Sequence, residues 1–203
     1  MNLTDHLRKL FGGLLNTIGK RLNQLGITPN TVTLTGLACN ILAAYFIAEG
    51  KLLTGGIIVL FTGPLDAIDG AMARSRGAIH PFGAFLDSVV DRYSELAIFL
   101  GLLILNFEKA DTTAILLTFL AASGSFLVSY TRARAESLGY DCKAGIMTRV
   151  ERFLIMVMSL ISNQVVIGLW IIAIGANLTA IQRILIVKKQ MENQISERGK
   201  QNA

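Results

Sequence analysis

Four aspartates lie in stretches otherwise apolar enough to cross a bilayer, following the pattern D-x2-D-G-x2-A-R-x8-G-x3-D-x3-D from Asp66 to Asp91. An ionised carboxylate at membrane depth is costly unless it is paired, hydrated or bound to a cation. Asp66, Asp69, Asp87 and Asp91 therefore need a shared physical reason, and a bound divalent metal is the simplest one. Any fold for this chain must bring the four together.

The surroundings fix the fold class. Hydrophobic residues make up 52% of the 203 positions and mean hydropathy is +0.54, too apolar for an ordinary soluble domain. The pattern predicts an all-α polytopic membrane protein with six transmembrane helices over 31–48, 52–74, 81–106, 112–136, 149–162 and 165–187. An even number of crossings returns both termini to one side. With that side cytoplasmic, every Lys and Arg except Lys51 and Lys109 falls in or beside a cytoplasmic loop, as the positive-inside rule requires. The chain thus reads as a multi-pass cell-membrane protein with both termini cytoplasmic. The aspartates then sit near the cytoplasmic ends of the second and third spans, joined by the loop 75–80 and facing cytosolic substrates.

Residues 1–26 lack the apolar core and small-residue cleavage site of a secretory signal. Leu7, Leu10, Phe11, Leu14, Leu15 and Ile18 instead recur at helical spacing opposite Arg8, Lys9 and Lys20. This predicts an N-terminal amphipathic juxtamembrane helix, lying on an anionic leaflet or packed on the membrane domain. The domain layout is a cytoplasmic surface helix over 1–28, a six-helix membrane domain over 29–190 and a polar cytoplasmic tail over 191–203. The segments 106–111 and 188–203 read as solvated loop and terminus.

Several function classes drop out. The net charge of +5 is accounted for by topogenic Lys and Arg, so nucleic-acid binding is not needed to explain it. Cys39 and Cys142 lie far apart, with no thiolate metal site and no disulfide expected. There is no Walker-type P-loop, no G-x-S-x-G elbow and no Cys or His cluster, and His6 and His80 read as loop or surface residues.

Spacing explains how the aspartates make a site. Asp66 and Asp69 are three apart and Asp87 and Asp91 four apart, so each pair projects from one helix face. Gly70, Ala73 and Gly83 let the backbones approach and leave room for a ligand. Oxygen-only ligands suit Mg²⁺ or Mn²⁺, and Mg²⁺ is commonly completed by substrate phosphates, which points to phosphoryl chemistry. Arg74, one turn past Gly70, is placed to meet a phosphate oxygen or fix a carboxylate. The competing structural reading is a set of interhelical ion pairs of the aspartates with Arg74, Arg76 and Arg92. It is disfavoured by the number of carboxylates and the interleaved glycines.

At these positions the chain resembles the CDP-alcohol phosphotransferases, whose signature is matched at Asp66, Asp69, Gly70, Ala73, Arg74, Gly83, Asp87 and Asp91. The resemblance implies a homodimeric integral-membrane transferase of substituted phosphate groups, in which an acceptor hydroxyl displaces CMP from a CDP-activated lipid. It assigns metal binding to Asp66, Asp69 and Asp87, and the general base to Asp91, which also reaches the metal. It implies that Asn30, Thr31, Val32, Thr33, Gly70 and Arg74 receive the CDP group of CDP-diacylglycerol or CDP-archaeol. One general base and a metal suffice for direct in-line attack, with no covalent nucleophile.

Arg132, Arg134, Arg149, Arg152 and Arg183 fall at cytoplasmic helix ends and could ring one pocket. Arginine forks suit phosphate oxygens, which favours an acceptor carrying its own phosphate; the alternative role is topological anchoring. The stretch 129–136, the Arg149-x2-Arg152 pair and Gln182-Arg183 resemble the phosphatidylinositol-phosphate synthase branch and its archaeal-lipid counterpart. Asn30 stands where that branch often has Asp, and Arg132 where Lys is common. The resulting expectation is transfer to myo-inositol 1-phosphate, or another phosphorylated polyol. The rival acceptor is glycerol 3-phosphate, as in a phosphatidylglycerophosphate synthase. A cation channel or transporter is the reading of a different class; its usual midplane site in repeated halves is not in evidence. Glu95 receives no role, and Glu151 is expected to neutralise a nearby arginine.

Overall fold

The computed structural model describes residues 3–75, 81–142 and 144–201, with side chains from 12 to 195 within those limits. The described residues form seven helices and no strand. These are α1 (Leu3–Gln24), α2 (Pro29–Ala48), α3 (Leu52–Ser75), α4 (Pro81–Glu108), α5 (Thr112–Ser137), α6 (Arg149–Ile161) and α7 (Val165–Gln201).

Local chemistry sets most starts. Thr28 caps α2 by accepting the Thr31 amide at 3.2 Å, and Pro29 occupies the first turn, where its missing N–H costs nothing. Asp111 caps α5 through the Ala114 amide at 3.0 Å. Thr148 opens α6 in a capping box with Glu151, whose carboxylate accepts the Thr148 amide at 2.9 Å and the Thr148 hydroxyl. Glu151 is thus committed to a helix cap, where the sequence suggested a partner for arginine.

Four helices, α2, α3, α5 and α7, are long and apolar enough to cross a membrane. The other two predicted spans differ for physical reasons. Helix α4 carries Asp87, Asp91, Arg92 and Glu95 along its first half, and α6 has 13 residues. At 1.5 Å per residue α6 reaches about 20 Å, short of the ~30 Å hydrocarbon layer. Large apolar side chains such as Phe61, Leu100, Phe119 and Ile184 cover the outer surface.

Helix α2 packs on α3 and α4, α3 on α6, α4 on α5, and both α5 and α6 on α7, so six helices close into a ring. The ring's core includes Ile47, Leu102, Leu117, Leu160 and Ile172. Small residues permit the close approaches. A Cβ at Gly101 would lie 2.5 Å from the Ala44 carbonyl oxygen, and one at Gly63 would lie 2.3 Å from the Phe153 ring. Helix α1 packs outside the ring on α3, where Leu15, Ile18 and Leu22 cover Ile68 and Met72. Asn23 also donates to the Met72 carbonyl at 3.1 Å and to Ser75 at 2.6 Å. Of the predicted amphipathic stripe, Leu15 and Ile18 face the protein while Leu14 is exposed. The side chains of Leu7, Arg8, Lys9, Leu10 and Phe11 lie outside the described residues, as do His6, Arg76 and His80.

Helix extends into two expected loops, 106–111 as far as Glu108 and 188–203 as far as Gln201. Helix α4 continues to Glu108, and Asn106 is buried, donating to Thr118 at 3.2 Å. Helix α7 runs 37 residues to Gln201 instead of ending near residue 187. No proline interrupts it, Gln190 donates to the Asp141 carbonyl at 2.8 Å, and Tyr140 donates to Gln194 at 2.9 Å. The extension is therefore held against the loop after α5.

Candidate active site

The α3 and α4 faces converge as helical spacing requires. Asp66, Asp69 and Asp87 each offer a carboxylate oxygen within 4.8 Å of the other two. The buried Asp69 accepts a hydrogen bond from Thr33 Oγ1 on α2 at 2.6 Å, which fixes its orientation. Asp87 Oδ1 is buried and has no hydrogen-bond partner among the described residues. An orphaned carboxylate oxygen beside two further carboxylates fits a hard divalent cation, which would satisfy its lone pairs and neutralise the cluster.

Asp91 lies one turn further along α4 and is 8% exposed. Arg149, at the first residue of α6, forks onto it. Nη1 donates to Oδ2 at 2.5 Å and Nη2 to Oδ1 at 2.6 Å, and the same Nη2 also reaches Asp66 Oδ2. Arg92 adds a contact to Asp91 at 3.2 Å. Ion pairing is therefore present, but its main partner is Arg149 rather than Arg74.

A cavity of about 80 Å³ runs inward from Asp66, Asp91 and Arg149. Its polar wall includes Asn40, Thr62, Ser94, Glu95 and Arg152, and its apolar wall includes Val59, Phe99, Phe153 and Ile172. Arg152 is 2% exposed and donates to Glu95 through Nε at 2.8 Å and Nη2 at 3.1 Å, while its buried Nη1 has no partner among the described residues. A buried pair of this kind is held by geometry more than by net energy. Thr62 donates to Asn40 at 3.1 Å on the same wall.

The remaining expected site residues divide by position. On the nucleotide side, Asn30 Oδ1 lies where a Cβ on Gly83 would be 3.4 Å away, and the Arg74 guanidinium borders Gly70. Thr31 shares a 2.8 Å hydrogen bond with Thr28, and Val32 is buried against Ile68 and Met72. On the basic side, only Arg149 and Arg152 line the cavity. Arg132 is exposed and paired with Glu136 at 2.8 Å, and Arg134 is exposed at the end of α5. Arg183 is 3% exposed, donating to the Ala144 carbonyl at 3.0 Å and to the Val128 carbonyl. It ties the segment before α6 to α5 and α7.

Sequence reasoning missed three features. It left Glu95 without a role, gave Thr33 to the nucleotide rather than to Asp69, and put Arg149 only with the acceptor. The available signal for Glu95 was its place one turn past Asp91 in an apolar segment, a spacing that puts both on one helix face.

The chain matches the CDP-alcohol phosphatidyltransferase family over residues 26–181. It is 42% identical over 181 residues to an archaetidylinositol phosphate synthase of Pyrococcus horikoshii, covering 88% of this chain and 93% of that one. It is 33% identical over 188 residues to a phosphatidylinositol phosphate synthase of Mycobacterium tuberculosis, covering 87% of each. The crystal structure of a Mycobacterium tuberculosis phosphatidylinositol phosphate synthase with CDP-DAG bound superposes with a TM-score of 0.80 at 33% identity, over 85% of this chain and 92% of that one. A second structure of that enzyme, with manganese and citrate, gives 0.79 at 32% identity, over 85% and 88%. The matched segment contains all four aspartates, α2 and the arginines of α6, and the chain belongs to the CDP-alcohol phosphatidyltransferase family.

Proposed function

We propose that this chain transfers the phosphatidyl or archaetidyl group of a CDP-lipid to myo-inositol 1-phosphate, releasing CMP. The observation carrying this reading is the cluster of Asp66, Asp69 and Asp87 beside a cavity that Asp66 and Asp91 line and whose basic wall is Arg149 and Arg152. Its support is the likeness to both phosphatidylinositol phosphate and archaetidylinositol phosphate synthases.

Asp66, Asp69 and Asp87 would hold Mg²⁺, with Mn²⁺ as the alternative. When bound, the ion supplies charge neutralisation on the pyrophosphate under attack and on the departing CMP. Thr33 orients Asp69 for that task. Asn30, Thr31, Val32, Gly70 and Arg74 form the nucleotide side, beside Gly83. Asp91 removes the proton of the attacking inositol hydroxyl; the new O–P bond forms as the P–O bond to CMP breaks, and the proton ends on an Asp91 oxygen. Arg152 and Arg149 receive the acceptor's phosphate, and Arg132, Arg134 and Arg183 shape the positive field around the opening.

The enzyme acts as a six-helix membrane domain over 29–190, in which α4 and the short α6 complete the bundle with the four apolar helices. The 1–28 helix and the 191–203 tail are cytoplasmic. Positive-inside charge supports this orientation. A homodimer is its working form, and the exposed apolar helix faces supply candidate surfaces.

The test is CMP release by the purified protein in vesicles containing CDP-diacylglycerol or CDP-archaeol and Mg²⁺, with inositol 1-phosphate and glycerol 3-phosphate supplied separately. Release with inositol phosphate, lost in Asp91→Asn, is expected. Consumption of glycerol 3-phosphate alone would sink the acceptor assignment and leave the family intact.

A further inference from the structure

Helix α6 packs on α3 and α7, and it shares the cavity with α4. Arg152 of α6 and Glu95 of α4 bridge that space. Both oxygens of Glu95 are taken, Oε1 by Nε at 2.8 Å and Oε2 by Nη2 at 3.1 Å. The fork leaves Nη1 of Arg152 buried and without a partner among the described residues, on a residue that lines the cavity beside Asn40, Thr62 and Ser94. A buried donor left unmade is costly, so a ligand oxygen that reached this nitrogen would relieve that cost on binding.

Glu95 lies outside the cluster of Asp66, Asp69 and Asp87. Its carboxylate is instead the counter-ion of a guanidinium that is 2% exposed. Without it Arg152 would be an uncompensated buried charge, free to turn towards Asp66 and Asp91 on the same cavity. Such a turn would spend the arginine on the aspartates and remove it from the acceptor.

We propose that Glu95 is a positioning residue for the acceptor. It fixes the Arg152 fork so that Nη1 stays free to donate to an oxygen of the acceptor's phosphate, and it keeps the guanidinium away from Asp66 and Asp91. The inference rests on the reading that Arg152 receives the acceptor. It adds that Glu95 contacts no substrate and acts through Arg152 alone.

The test is CMP release by the purified full chain in vesicles with CDP-diacylglycerol or CDP-archaeol and Mg²⁺, with separate KM values for inositol 1-phosphate and for the CDP-lipid. Glu95→Gln keeps the size but sets an amide N–H against the fork. It should raise the acceptor's KM at least about tenfold, the usual worth of a charge-assisted hydrogen bond, and leave the CDP-lipid KM near wild type. In an Arg152→Met background the same change should add nothing. Glu95→Leu combined with Arg152→Met replaces the whole pair by apolar side chains, so its thermal midpoint should match wild type while the acceptor defect remains. An equal rise in both KM values would make the pair a structural strut and overturn the proposal. So would a Glu95→Gln effect that persists without Arg152, or a wild-type acceptor KM in the apolar pair. If Glu95→Gln does not fold, the apolar pair decides alone, and failure of both to fold would likewise make the role structural. Use of glycerol 3-phosphate in place of inositol 1-phosphate would change the acceptor named above and leave this inference to be read with that substrate; release with neither would overturn both.

Discussion

Thr33 shows how much of the site depends on single hydroxyls outside the signature. Asp69 is buried, and its 2.6 Å hydrogen bond from Thr33 Oγ1 is the contact that ties the carboxylate to α2. Thr33→Val keeps the shape but removes the donor, leaving a buried carboxylate free to rotate. Partners that orient metal ligands are typically worth about 10- to 100-fold in metal affinity or activity. Thr33→Val is therefore expected to weaken Mn²⁺ binding about tenfold, and Thr33→Ser to restore most of it, as a metal titration would check. Unchanged affinity in Thr33→Val would remove Thr33 from the site. The four aspartates were legible because helical spacing alone puts each pair on one face. Thr33 was legible only as a nearby residue, since nothing in sequence spacing says which hydroxyl of α2 meets which carboxylate of α3.

At the scale of helices, glycine sets how closely α2 and α4 pack. A Cβ at Gly101 would meet the backbone of Ala44, which cannot rotate away as a side chain can. Gly101→Val is expected to force α2 and α4 apart and lower stability by about 1–3 kcal/mol, the usual cost of overpacking. Thermal unfolding in detergent measures it; an unchanged midpoint would show that the two helices separate without cost. Activity should fall as well, because α2 carries Thr33 and α4 carries Asp87 and Asp91. The starts of α5 and α6 were read at Thr112 and Arg149 from where the apolar segments begin, whereas α2 starts at Pro29, two residues before the expected 31, because Thr28 caps it. The ends of α4 and α7 were not legible. Polar composition suggested solvated coil near Asn106 and beyond Lys188, but a buried Thr118 and the loop carrying Tyr140 and Asp141 supply partners that keep those residues helical.

Over the whole molecule, the active site depends on the segment that joins α5 to α6. Residues 144–148 lead into Arg149 at the aspartates, and Arg183 holds them through the Ala144 carbonyl while the Thr179 hydroxyl accepts the Met147 amide at 2.9 Å. Cys142 reports on that anchoring. It is fully buried, with its thiol directed at the Arg183 carbonyl at 3.9 Å, and burial pushes its pKa up. The neutral thiol is thus favoured by the fold. Its contribution to stability is full below the unfolded thiol's value of about 8.5 and is lost as pH rises above it. In a Cys39→Ser background, maleimide at pH 7 should leave Cys142 unlabelled in the folded protein. Arg183→Met keeps much of the side chain's bulk but cannot bond the two carbonyls, so it should release the segment and raise the labelling rate at least about tenfold, with CMP release falling in parallel because Arg149 loses its platform. Fast labelling of Cys142 in otherwise wild-type protein would mean that the segment opens on its own. Arg183 would then not be what holds the segment closed, and Arg183→Met would leave thiol exposure unchanged.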